Sequence, residues 1–160
     1  MKSAAFLRRA RKTDVDWGKW ESGRPMPKSA LKLRKPYPVS GKWTWRLVRF
    51  SVDGDRYTVL LKHRKERQDF MAMLVRETEG EPGTVLCRIE HHGSHPGWHV
   101  HYQAHAPFVS GVVRMPGERR RDCGLDSAFE ANVVVEFNAW AMTLAERLFN
   151  LREDQDKGLL

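Results

Sequence analysis

Short runs of strand-forming residues alternate with polar positions through the middle of the chain. Trp43–Val52 is rich in aromatic and β-branched residues and alternates weakly, as a half-buried strand does. Asp53-Gly54 follows, a pair that favours a two-residue hairpin turn. Arg56–His63 then reads as the return strand. Pairing Phe50 with Tyr57 and Val48 with Val59 puts the apolar residues of both strands on one face. Further strands are expected near Phe70–Arg76, Thr84–His92 and Gly97–Gln103, with a sixth near Phe108–Arg114. Gly80–Gly83, which includes Pro82, supplies a turn.

The period changes towards the C-terminus. Ser127 and Glu130 fit a capping box. Phe129, Val133, Phe137, Trp140, Leu144 and Leu148 then recur at helical spacing. The β-branched run Val133–Val135 opposes a helix locally, yet the pattern is too long for a strand. It predicts one long amphipathic helix near 127–152. The expected fold class is therefore α+β: an antiparallel meander of five to six strands packed against a long C-terminal helix.

Residues 1–42 differ from the rest. They hold 12 Lys and Arg against 3 Asp and Glu, whereas residues 43–160 hold 16 against 17. The whole positive excess thus lies in the N-terminal segment. Pro25, Pro27, Pro36 and Pro38 argue against a long helix or central strand there. The expected organisation is a basic arm at 1–42, an α+β domain at 43–152 and a polar tail at 153–160. Residues 3–12 have the makings of a short basic helix, and Trp17 and Trp20 are expected to dock on the body. The charge favours a polyanionic partner, with Arg8, Arg9, Arg11, Lys12, Arg34 and Lys35 as candidate nucleic-acid contacts. No apolar run is long enough to span a bilayer. Two cysteines, Cys87 and Cys123, are too few for a disulfide framework, which fits a cytoplasmic setting. Cys87 is expected to pack in the core.

Candidate chemistry concentrates in one segment. Six of the seven histidines lie between His91 and His105. Strand alternation places Arg88, Glu90 and His92 on one face of one strand, and His99, His101 and Gln103 on one face of the next. Matching the apolar faces pairs His92 with His99, Glu90 with His101 and Arg88 with Gln103. One polar cluster results, with His95 in the loop beside it. Acid–base cleavage of RNA needs a base for the 2′-hydroxyl, an acid for the leaving oxygen and a cation for the phosphorane. Glu90 or His92, His101 or His99, and Arg88 supply those roles without a cofactor. A zinc site held by His92, His99 and His101 is the alternative, in a protein that binds nucleic acid or another protein without catalysis. A third possibility is an interaction protein working through its C-terminal helix. His63, Arg119–Arg121 and Cys123 are weaker candidates.

The segment Arg88-Ile89-Glu90-His91-His92, followed by His99-Val100-His101, resembles the TumE-like toxins of bacterial toxin–antitoxin pairs, which carry Arg-aromatic-Asp and then spaced histidines ending in His-x-His. Glu90 stands for the aspartate and Ile89 for the aromatic residue. The likeness covers roughly 15 residues, and neither the basic segment nor the expected C-terminal helix belongs to it. It implies a compact α+β toxin directed at RNA, with an antitoxin-like protein partner, and Arg88, Glu90, His92, His99 and His101 as its site.

Overall fold

The computed structural model describes residues 4–67, 69–92, 95–102, 145–146 and 149–151. Six antiparallel strands form one sheet in sequence order: β1 (Thr13–Asp16), β2 (Thr44–Val52), β3 (Asp55–Arg64), β4 (Asp69–Thr78), β5 (Glu81–His92) and β6 (His95–Tyr102). A six-residue helix, α1 (Ala4–Arg9), precedes them. Asp53 and Gly54 both take positive φ, 50° and 84°. That twist suits a two-residue hairpin, and it fixes the expected register, Phe50 opposite Tyr57 and Val48 opposite Val59. Gly80, at φ 71°, turns β4 into β5.

The sheet is apolar on both faces, because its central strands carry near-continuous hydrophobic runs. On face 1, Val48, Phe50, Tyr57, Val59, Leu61, Phe70, Ala72, Leu74, Cys87 and Ile89 pack with Leu7 of α1 and with Ala145, Phe149 and Leu151. Trp17 and Trp20 close the rim of this cluster, as expected of them. On face 2, Trp45, Leu47, Leu60, Met71, Met73 and Val75 pack under Met26, Leu31 and Val39.

The expected α+β class, a sheet covered on one face by a long C-terminal helix, is therefore corrected. Among the described residues there is no long helix, and the fold is a sheet covered on both faces. Residues 127–144, where most of that helix was expected, lie outside the described residues. Ala145, Glu146 and Phe149 are helical, and the turn ends at Asn150, whose N–H donates to the Glu146 carbonyl at 2.8 Å with φ 53°. The strand expected near Phe108–Arg114 also lies outside. Among the described residues the sixth strand is β1, from the basic N-terminal segment.

That segment is built into the sheet. Leu7 is 1% exposed. Glu21 and Trp45 exchange two backbone hydrogen bonds. The chain then crosses face 2 as a strap. Trp45 Nε1 donates to the Arg24 carbonyl, Met26 N to the Val39 carbonyl and Gly83 N to the Lys32 carbonyl. Prolines suit this role: the strap needs few backbone donors and is held by its apolar side chains.

Candidate functional site

Strand register assembles a polar island at the His63–Phe70 end of face 2. One row across the sheet runs Trp45, Lys62, Met71, Glu90, His99. The next runs Leu47, Leu60, Met73, Arg88, His101. Directly paired residues share a face. Lys62, Glu90 and Arg88 therefore stand on the face crossed by the strap, and His99 and His101 occupy register positions on it.

Arg88 and Glu90 form an ion pair, Nε to Oε2 at 3.3 Å, with side chains 21% and 17% exposed. Both are recessed yet open to water. Lys62 is more deeply set, at 7%. Its ammonium lies 4.8 Å from the centre of the Tyr37 ring and 4.0 Å from that of Trp43. Such contacts let an ammonium shed part of its water. Burial lowers the Lys62 pKa to about 8, opposed by the Glu90 carboxylate and reinforced by Arg88 and Arg64. Burial raises the Tyr37 phenol, with Arg88 opposing and Glu90 assisting. Arg64 also meets Trp43, its Cζ 4.6 Å from the ring centre. Its guanidinium pairs with Asp69, Nε to Oδ2 at 3.0 Å.

The expected grouping of Arg88, Glu90, His99 and His101 on one face agrees with the register, but the pairing is shifted by two residues. Glu90 faces His99 rather than His101, and Arg88 faces His101 rather than Gln103. The cause is a tight hairpin: β6 resumes at His95, where a loop to Gly97 was expected. A slip by an even number leaves every side chain on its face. His92 pairs with His95 across an irregularity at His91/His92, so it does not face His99. Gln103, His105, Arg119–Arg121 and Cys123 lie outside the described residues. Among the described residues no group of three or more His, Cys, Asp or Glu is placed to hold a metal ion.

The candidate nucleic-acid contacts divide. Arg9, Arg11, Arg34 and Lys35 are exposed. Arg8 lies on α1. Lys12 is committed to structure: Nζ donates to the Leu7 and Ala10 carbonyls at 2.9 and 2.8 Å and lies over Phe50. It thus satisfies carbonyls left open at the end of α1. Burial lowers its pKa to about 8. Arg34 and Lys35 sit on the strap between Leu33, which bridges to Gly83 on β5, and Tyr37, which meets Lys62. His63 is buried on face 1 against Trp20, so it is no part of the site. Cys87 is buried in the face 1 core.

Sequence reasoning missed Tyr37, Trp43, Lys62, Arg64 and Asp69. Strand parity held a signal for two of them. Lys62 interrupts the run Val59-Leu60-Leu61 at a buried position, and Arg64 lies two residues on, facing the same way. A second charged region, lined by Arg49, Arg56, Arg76, Asp55 and Glu77 beside the β4–β5 turn, pairs its charges internally. Glu77 pairs with Arg49 and Arg56 at 3.9 and 3.7 Å, and Asp55 with Arg76 at 3.5 Å.

No helix among the described residues is long and apolar enough to cross a membrane. Compared with known proteins, the chain matches no family model, no curated protein and no solved structure.

Proposed function

We propose that this protein is a metal-independent endoribonuclease whose site is the face 2 island around Glu90. The observation that carries the reading is the row Lys62–Met71–Glu90–His99 with Arg88 and His101 in the adjacent row. It brings a carboxylate, two cations and two histidine positions together on one recessed face. Glu90 takes the proton of a ribose 2′-hydroxyl, whose oxygen attacks the adjacent phosphorus. The bond to the 5′-oxygen breaks, and that oxygen receives a proton from an imidazolium at His99 or His101. The products are a 2′,3′-cyclic phosphate and a 5′-hydroxyl. Arg88, paired with Glu90, stabilises the charge that develops on the phosphorane. The exposed Arg9, Arg11, Arg34 and Lys35 supply salt-sensitive attraction to the backbone. The resemblance to TumE-like toxins supports the same reading and adds an antitoxin-like partner to the proposal.

The test is cleavage of labelled RNA by wild type, by Glu90→Gln and by the double variant His99→Ala with His101→Ala, with folding checked by circular dichroism. Both variants are expected to stay folded and lose at least 100-fold in rate, the scale of general acid–base catalysis. Folded variants that cut like wild type overturn the assignment.

A further inference from the structure

The aromatic residues beside the island have no part in the acid–base scheme, and they point to how substrate is held. Tyr37 comes from the strap and Trp43 immediately precedes β2, and both are partly exposed. Between them sits the Lys62 ammonium, and Arg64 reaches the same Trp43 ring. Aromatic rings interleaved with cations are what a single nucleic-acid strand needs: a ring face for a base and a cation for the phosphate beside it.

We propose that Tyr37, Trp43, Lys62 and Arg64 form a subsite for one nucleotide of a single-stranded nucleic acid. The cations take a phosphate, and the Tyr37 ring takes a base. This inference names the substrate class of the site and rests on the nucleic-acid reading given above.

One feature favours a single strand over a duplex. It is depth: Lys62 is 7% exposed and the Glu90 side chain 17%, and a stiff duplex cannot bend its backbone to follow side chains set so far below the surface. A bare strand can fold its phosphates inward. The spacing suits a strand that spans both positions. Lys62 and Glu90 lie two strands apart in one row, about 10 Å at the usual strand separation. That distance is about three stacked nucleotides at 3.4 Å each. A phosphate at Lys62 and a cut at Glu90 therefore belong to one short stretch of strand. Arg34 and Lys35, exposed on the same strap, continue the basic path beyond it.

The test is binding, measured by fluorescence anisotropy with a labelled eight-nucleotide DNA strand and with its duplex. DNA has no 2′-hydroxyl and is not cut by the proposed mechanism, so binding is read apart from catalysis. Wild type is expected to bind the single strand at least 10-fold more tightly than the duplex. Lys62→Gln and Tyr37→Leu are each expected to weaken single-strand binding by about 10-fold. Lys62→Arg, which keeps the charge, is expected to hold affinity within about 3-fold; with Tyr37→Leu it carries the test if Lys62→Gln melts early. Equal affinity for the duplex, no binding by wild type, or folded variants that bind like wild type overturn the subsite. Normal single-strand binding without cleavage of RNA leaves the subsite standing and removes the ribonuclease reading instead.

Discussion

Replacing Lys62 with methionine is expected to make the protein more stable. The Lys62 pKa falls from an ordinary 10.5 to about 8 because the ammonium is buried. At about 1.4 kcal/mol for each tenfold change in proton affinity, holding the charged form costs about 3 kcal/mol. Attraction to the Tyr37 and Trp43 rings returns about 1–2 kcal/mol. A methionine fills the space of the lysine stem without a charge. The expected gain is therefore about 1–2 kcal/mol at pH 7, read as a higher urea midpoint. The gain also depends on pH. A depressed lysine pKa penalises the folded state fully below about 8, and the penalty fades as pH rises towards 10.5. Wild type should therefore close on the variant across that window. Tyr37, raised above its ordinary value, stays neutral through most of it. Glu90, Asp69, Arg64 and Arg88 are the charged groups that face Lys62. Lys12 titrates in the same range but in both proteins, so it cancels from the difference. A variant less stable than wild type by 1 kcal/mol at pH 7, or a gap that does not narrow, refutes the reasoning.

Further predictions concern the N-terminal segment. Leu7→Ala should cost about 2–5 kcal/mol in urea unfolding, because Leu7 is buried in the face 1 core; a cost below 0.5 kcal/mol would mean the segment is not anchored there. Gly18→Ala should lower stability by about 2 kcal/mol, since Gly18 has φ 57° and a methyl group would run into the Leu47 carbonyl oxygen. An unchanged melting temperature would contradict that packing. Arg34→Ala with Lys35→Ala should leave the melting temperature unchanged and flatten the salt dependence of nucleic-acid binding by about two charges. An unchanged slope would remove the strap from the binding path.

Local signals carried much of the sheet. Asp53-Gly54 specified the first hairpin and its register, because few residue pairs tolerate two successive positive φ angles. Parity alone grouped Arg88 and Glu90 with His99 and His101, although the pairing moved by two residues when the hairpin proved shorter. The strap was not legible. Met26, Leu31 and Val39 follow no helical or strand period, since they anchor an irregular chain to a surface built elsewhere. Yet the need for such a cover was written in Phe70–Val75, six apolar residues without alternation. A run of that kind is buried on both faces, and a single covering helix satisfies only one of them. The basic charge concealed this too, because it drew the eye to the exposed arginines rather than to the apolar residues between them. Tyr37 and Trp43 meet Lys62 only once the strap is laid across the sheet, so no spacing along the chain revealed that contact.

The most direct test of the central claim is incubation of wild-type protein with labelled single-stranded RNA in EDTA, followed by identification of the new 3′ end. Acid–base cleavage at the Glu90 island predicts cutting that persists in the chelator and leaves a 2′,3′-cyclic phosphate. RNA that remains intact, or cutting that stops in EDTA, contradicts it.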